Sequence, residues 1–377
     1  MRILQICAAY KPAFIYGGPT MSVAMLSEQL TKAGIYIEAY ATTANGKEEL
    51  PVNPGEAVNV DGVKVTYFKR LTKDHSHFSP ALLKKLWKEA RGFDVIHIHA
   101  WWNLVSVFSC LIALLRSVPI VISPRGTLSP YSFQNKNIGK KWLIHHLLGR
   151  PLLNRCHIHV TSNQESEAIY ALIKPKRISN LPNFVKLPAD LPGDAQSLAI
   201  FKLIFLSRIE EKKGLDILIN ALPFLNFPYS LTIAGSGDKM YVDELKAVVK
   251  KNGDEADVYW IGFQGDNKFE LLAQHHLLVL PSYDENFGNV VIESLSQGTA
   301  VLISPFVGLA DYVNQNNLGW ECELNAISVG NMINFIHGKK DELNRIRLSA
   351  PEIIRADFNE AHLTKQYTDM YNNVING

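Results

Sequence analysis

Short apolar runs rich in isoleucine and valine alternate along the chain with longer stretches whose apolar positions recur at helical spacing. In the first half the runs are RILQIC, IYIEAY, VKVTYF, DVIHIH, PIVIS and CHIHVT, each read as a strand. Helical patterns lie between most of them. One is GPTMSVAMLSEQLTKAG, which keeps Val23, Leu26 and Leu30 on one stripe and stops at Gly34. The second half restarts the alternation with KLIFLS, YSLTIAG, DVYWIG, HLLVLPS and TAVLIS. Strands alternating with helices predict βαβ units and parallel sheets, here two doubly wound α/β domains. Ligands of such folds sit beyond the carboxyl ends of the strands, and the cleft between the domains is their expected place.

Between the halves, residues 180–197 carry Pro182, Pro188 and Pro192 and follow neither period, which is a linker composition. Charge reverses at the same place. Of 38 Lys+Arg and 36 Asp+Glu, residues 1–185 hold 22 and 11, a balance of +11, so the rest hold 16 and 25, a balance of −9. The two signals predict a first domain over 1–185 and a second over 186–358. A basic half suits an anionic partner such as nucleic acid, a phospholipid surface or a phosphorylated substrate, or is merely a set of solvated cationic faces.

The 377 residues are 47% hydrophobic, enough for two cores. No secretory leader is read at the start, and the longest apolar run, LVSVFSCLIALL, falls well short of the ~20 residues that span a bilayer. Cys7, Cys110, Cys156 and Cys322 form no CxxC pair, so reduced thiols are expected rather than disulfides or a cysteine metal site. The expected location is cytoplasmic, at most peripheral at the inner membrane face.

Strand ends hold the candidate chemistry. After the first strand, Gly17 and Gly18 precede a helix, as in a phosphate-binding loop or a plain turn. After KLIFLS, Arg208 stands at the strand end and Lys213 just before Gly214 and a helix. These two cations either grip a pyrophosphate or pair with Glu210 and Glu211 in solvent. Gly235 and Gly237 follow the next strand in IAGSGD and offer close backbone approach, or only a turn. Together these ends favour a nucleotide diphosphate.

The run YDENFGNVVIESL separates Glu285 from Glu293 by seven residues. On a continuous helix they would stand roughly 80° apart, at ~100° per residue. A loop carrying Glu285, a turn at Gly288 and a helix from about Asn289 through Glu293 to Gly298 is the more economical reading. The two carboxylates then address different parts of one ligand, with amides of Phe287, Gly288, Asn289 and Val290 available to a phosphate. Carboxylates accept hydroxyl protons well, which makes a sugar a natural ligand.

With these residues assembled, the chain resembles the family-4 glycosyltransferases, retaining enzymes of the GT-B type with two Rossmann-like domains. The resemblance spans nearly the whole chain and is most specific at the family's E-x7-E motif, matched by Glu285 and Glu293. It implies that Arg208 and Lys213 grip the donor diphosphate, with Gly17 or Gly18 assisting. Glu285 would contact the transferred sugar and Glu293 the ribose, with Asn286 to Val290 covering sugar and phosphate, Gly235 close by, and Gly262 and Phe263 beside the base. A final helix within 359–377 would cross back to the first domain. The donor would be a nucleotide-diphosphate sugar, a UDP-sugar being favoured, and the acceptor hydroxyl that of a glycan or lipid-linked precursor. No cofactor and no metal are expected, since Asp-x-Asp is absent.

Three positions depart from the family pattern. Asn286 replaces a usual glycine, Val307-Gly308 with Asp311 replaces Gly-Gly with Glu, and Arg125 stands where many members have histidine near the reacting sugar. An arginine binds charge but supplies no base. Acceptor contacts are sought at Trp102, Asn103, Arg125 and Tyr131, the Trp101-Trp102 pair being equally open to core packing. His97 and His99 are expected on opposite faces of their strand. The basic stretch with Lys136, Lys140, Lys141, Arg150 and Arg155 around Trp142 suits an anionic membrane surface, or a solvated basic face. Rival readings are a non-catalytic nucleotide-sugar-binding partner and a glycoside hydrolase or phosphorylase; nucleic-acid binding lacks a recognised module.

Overall fold

The computed structural model describes residues 1–134, 145–188 and 200–377, and Lys136, Lys140, Lys141 and Trp142 of the basic stretch lie outside these. Two compact units make up the chain: Met1–Phe184 with Glu360–Gly377, and Val185–Asn359.

The first unit is built on eight strands. In spatial order they are Arg177–Asn180, His157–Val160, Ile120–Ser123, Val95–His99, Arg2–Ile6, Tyr36–Thr42, Val63–Phe68 and Ala57–Val60. All neighbours pair in parallel except the last, which returns antiparallel on Val63–Phe68. The strand order reverses between Arg2–Ile6 and Val95–His99, so the loops after these strands splay apart there. The helix Gly18–Lys32 follows the first loop and buries Val23, Leu26 and Leu30 against the sheet. The helix Glu360–Asn376 belongs to this unit and buries Leu363, Tyr367, Met370 and Tyr371 in the core that holds Ile3, Ala39 and Val121.

Two strands of this sheet carry histidines whose rings meet in the core, His97 and His99 on one and His159 on the other. The rings of His97 and His99 lie 4.1 Å apart, which corrects the expectation that they face opposite ways: residues two apart on a strand share a face. A buried polar network fills the space around them. His97 places Nδ1 2.7 Å from the Tyr371 hydroxyl and Nε2 2.6 Å from Ser123 Oγ, which lies 2.6 Å from His159 Nδ1. His99 Nε2 meets Gln5 Oε1 at 2.7 Å, and the Tyr367 hydroxyl donates to the Pro182 carbonyl at 3.0 Å.

Burial first, and then neighbouring positive charge, hold His97 and His99 well below the ordinary histidine range, and His159 at about 3. These rings are neutral when folded and take up protons once unfolded. Between the ordinary value near 6.5 and about 3 the unfolded chain therefore binds more protons, and stability falls as pH falls. The melting temperature should accordingly drop steadily from pH 6.5 downward. A flat profile to pH 4 would mean that these rings are already protonated in the fold.

The second unit has six parallel strands in the order Val258–Gly262, Tyr229–Ala234, Phe201–Leu206, Leu277–Leu280, Ala300–Ile303 and Gly319–Glu321. Numbered along the chain that is 3-2-1-4-5-6, the doubly wound order of a Rossmann sheet. Leu277–Leu280 and Ala300–Ile303 are buried throughout, and Phe201–Leu206 everywhere but Lys202 and Leu206, because helices cover both faces, which is why they read as largely apolar runs. Order reverses between Phe201–Leu206 and Leu277–Leu280, where Leu203 pairs with Leu277.

Candidate functional site

That reversal positions the site of the second unit. The loop after Phe201–Leu206 carries Arg208, Lys212 and Lys213, and the loop after Leu277–Leu280 carries Glu285 and Asn286. A hydrogen bond of 2.8 Å from Tyr283 N to the Lys212 carbonyl ties the two loops together. Lys213 is buried and donates its ammonium to Glu285, an ion pair that bridges the switch point. Arg208, just past its strand, is exposed and lies 2.6 Å from Glu210, the solvent pairing that is the alternative to a pyrophosphate grip, whereas the Lys213 ammonium is on Glu285 rather than on Glu210 or Glu211.

Glu285 is held on its other side as well. Its N–H donates to the Phe306 carbonyl at 3.1 Å and its carbonyl accepts from Gly308 at 2.8 Å. The Val307-Gly308 variation thus lies directly against the loop glutamate. Burial pushes the Glu285 carboxyl up, but the charge and hydrogen bond of Lys213, followed by Lys212 and Arg208, outweigh it and hold the pKa below the ordinary glutamate value. Burial, and then the like charge of Lys213, lower that of Lys212.

The helix Asn289–Ser296 begins where the spacing places it. Gly288, at φ 93°, makes the left-handed turn that starts it, and an added Cβ would meet Val307 Cγ1 at 3.0 Å. Glu293 is buried in its second turn and pairs at 2.5 Å with Lys268, the first residue of the helix Lys268–Ala273. Sequence reasoning passed over Lys268 and Lys212. Each lies past the carboxyl end of a strand of this sheet, where ligands of a doubly wound fold sit. Phe287 is buried, with its ring 6.3 Å from Phe358, while Asn286, Asn289 and Val290 are half-buried. Phe263 follows Gly262, whose φ is 70°, and stands 75% exposed at the end of its strand.

Gly235 has a reason within the fold for lacking a side chain. A Cβ there would come within 1.8 Å of the Ser207 carbonyl, and one at Gly237 within 2.1 Å of that of Ile209. The close approach they permit is to the neighbouring strand end.

In the first unit the candidate residues follow the strands Arg2–Ile6, Val95–His99 and Ile120–Ser123. Gly17, at φ 66°, precedes the helix Gly18–Lys32. Asn103 spends its side chain on capping the helix Leu104–Leu115, accepting from Ser106 N at 2.8 Å. Trp101 is buried, and Trp102 packs partly buried against the same core, its ring 6.4 Å from His145. Arg125, at φ 52°, donates to His99 Nδ1 at 3.1 Å and to Asn183 Oδ1 at 3.0 Å, and burial lowers its pKa. Tyr131 lies half-buried on the short helix Pro130–Gln134. Arg150 and Arg155 are exposed. Among the described residues no group of three or more His, Cys, Asp or Glu side chains is placed to hold a metal ion.

Known proteins share this arrangement. Residues 16–187 match the sequence model of Glycosyltransferase Family 4, and residues 199–347 that of Glycosyl transferases group 1. An uncharacterized glycosyltransferase of Methanocaldococcus jannaschii is 25% identical over 83% of each chain. A D-inositol 3-phosphate glycosyltransferase of Nocardiopsis dassonvillei is 26% identical over 79% of this chain and 76% of its own. Among solved structures, sucrose-phosphate synthase of Thermosynechococcus elongatus superposes with a TM-score of 0.79 at 17% identity, covering 99% of both chains. Anabaena HepE, solved in complex with UDP and glucose, does so at 0.76 and 20%, covering 99% of this chain and 100% of its own. The chain is a glycosyltransferase of GT-B fold. Its two halves carry, in order, a Family 4 and a group 1 domain.

Proposed function

We propose that this glycosyltransferase moves a sugar from a UDP-sugar to an acceptor hydroxyl with retention at the anomeric carbon, needing no metal. The observation that carries the reading is the cluster of Lys212, Lys213 and Arg208 around Glu285 at the switch point of the second unit. Leaving-group charge on a diphosphate needs preorganised cations, and these three supply it. Glu285 and Asn286 take the transferred sugar, and Glu293 with Lys268 takes the ribose. Phe263 stacks on the base, and Gly17 and Gly18 offer amides to phosphate. The departing diphosphate accepts the acceptor's proton. Trp102, Arg125 and Tyr131 face the acceptor, a glycan or lipid-linked precursor at the cytoplasmic membrane surface.

UDP as the carrier is supported by its presence, with glucose, in the related Anabaena structure. Thermal melting with UDP-, GDP- and ADP-sugars tests it. The expected result is stabilisation by UDP-sugars, ~2.7 kcal/mol at a hundredfold excess over Kd, followed by release of UDP when acceptor is added. Product with inverted configuration by NMR, or no response to any nucleotide sugar, would overturn the reading.

A further inference from the structure

The helix Leu104–Leu115 carries no charged residue, although it lies on the surface of the first unit. Its buried residues, Val105, Ser106, Ser109, Cys110 and Ala113, define one face. The opposite face shows Leu104, Phe108 and Leu111, each 37% exposed, and Leu115, 60% exposed. At about 100° per residue these four fall within roughly 60° of one another, centred away from the core. Surface helices of globular proteins put polar residues there. Here the only hydroxyl side chains, Ser106 and Ser109, are on the buried face, and the outer stripe is large enough to need an occupant.

The charges beside the stripe identify one. The neighbouring helix Pro80–Glu89 buries Leu82 and Leu86 and exposes Lys84, Trp87 and Lys88, with Arg91 just beyond it. Lys84, Trp87, Lys88 and Arg91 recur at three- and four-residue spacing, on one side of that segment. Arg116, at the end of the apolar helix, lies over the Trp87 ring at 5.2 Å, which sets this cationic row against the foot of the stripe. At the other end, the His145–Gly149 segment, whose His145 ring faces Trp102, leaves Leu147 and Leu148 exposed and is followed by exposed Arg150. The acids nearby are engaged: Glu89 accepts from Lys85 and Tyr40, and Asp74 from Ser76.

We infer that this face docks on an anionic phospholipid bilayer. Leu104, Phe108, Leu111 and Leu115 enter the acyl boundary, Trp87 lies at the headgroup level, and Lys84, Lys88, Arg91 and Arg116 meet the lipid phosphates. Among the described residues no helix is long and apolar enough to cross a membrane, and the contact inferred here is one of surface insertion. The inference refines the membrane location proposed above but does not depend on which sugar is transferred.

The test is co-sedimentation of the full-length protein with phosphatidylcholine vesicles and with vesicles that also contain phosphatidylglycerol. Binding is expected to the anionic vesicles only and to weaken with salt. Phe108→Ser with Leu111→Ser should lower it about tenfold or more, and Lys84→Glu with Lys88→Glu should abolish the preference for anionic lipid. Both pairs are exposed, so the melting temperature and UDP release with a soluble acceptor should persist. That separates failure of the docking face from failure of the transferase reading. Binding unchanged by either pair, or no binding to either vesicle, would overturn the inference. So would a wild-type dimer in light scattering that the Phe108/Leu111 variant dissolves while no vesicle is bound, since a second copy of the chain would then cover the stripe.

Discussion

Lys213→Ala is expected to lower turnover by roughly 10²- to 10³-fold, the loss typical when one preorganised stabiliser of developing charge is removed. Its ammonium is buried and is already committed to Glu285. The donor diphosphate must therefore draw it partly away from a carboxylate held ionised by Lys212 and Arg208 as well. Arginine at 213 should not restore activity, because a planar fork does not fit a pocket built for a compact ammonium. Glu285→Gln keeps the shape but removes the charge that balances two lysines, and should also impair turnover. UDP release under saturating donor checks both, and the double variant shows whether the pair acts as a unit. Lys213→Ala within about threefold of the parent would remove this lysine from the catalytic account.

Deleting residues 360–377 should prevent the first unit from folding, although the helix is the last element of the chain. Leu363, Tyr367, Met370 and Tyr371 are almost fully buried. At about 1.5–3 kcal/mol for each buried side chain, the four contribute on the order of 6–12 kcal/mol, an upper figure. That matches the whole stability of a typical domain, ~5–15 kcal/mol. The truncated chain is expected to be insoluble or to melt in one transition, that of the second unit alone. Tyr371→Phe is the milder probe, removing the hydroxyl beside His97 and Gln5 at a cost of about 1–2 kcal/mol, read as a lower melting temperature. Two undiminished transitions after truncation would show that the helix is an accessory.

The central strands were legible because burial on both faces writes them as continuous apolar runs, and the doubly wound class followed from their alternation with helices. The strands that went unread are at or near the edges. Arg177–Asn180, Ala57–Val60 and Gly319–Glu321 are short, none is fully buried, and their residues are largely polar or mixed. At the site, the Gly288 turn and the helix from Asn289 could be read because local rules govern both. Which lysine faces which glutamate could not, since Lys213 and Glu285 are 72 residues apart and Lys268 and Glu293 are 25 apart. Asn103 reads in the sequence as a sugar contact, and in the fold its carboxamide oxygen caps the helix Leu104–Leu115. His97 and His99 show a different error. A side-chain period of two puts both on one face of their strand, and their rings accordingly lie 4.1 Å apart.

The first unit is discontinuous in sequence, and the second is an uninterrupted insertion within it. On the ribosome this fixes an order of events. Residues 185–359 emerge whole and can close their core at once, whereas the sheet bearing His97 and His159 waits for Tyr367 and Tyr371, which are made only after the whole second unit. Until their helix emerges the nascent chain leaves the polar face uncovered, together with the apolar residues such as Ile3, Ala39 and Val121 that Leu363 and Met370 join in the core. The enzyme is thus most open to chaperones and to aggregation in the interval between completion of the second unit and emergence of the helix Glu360–Asn376.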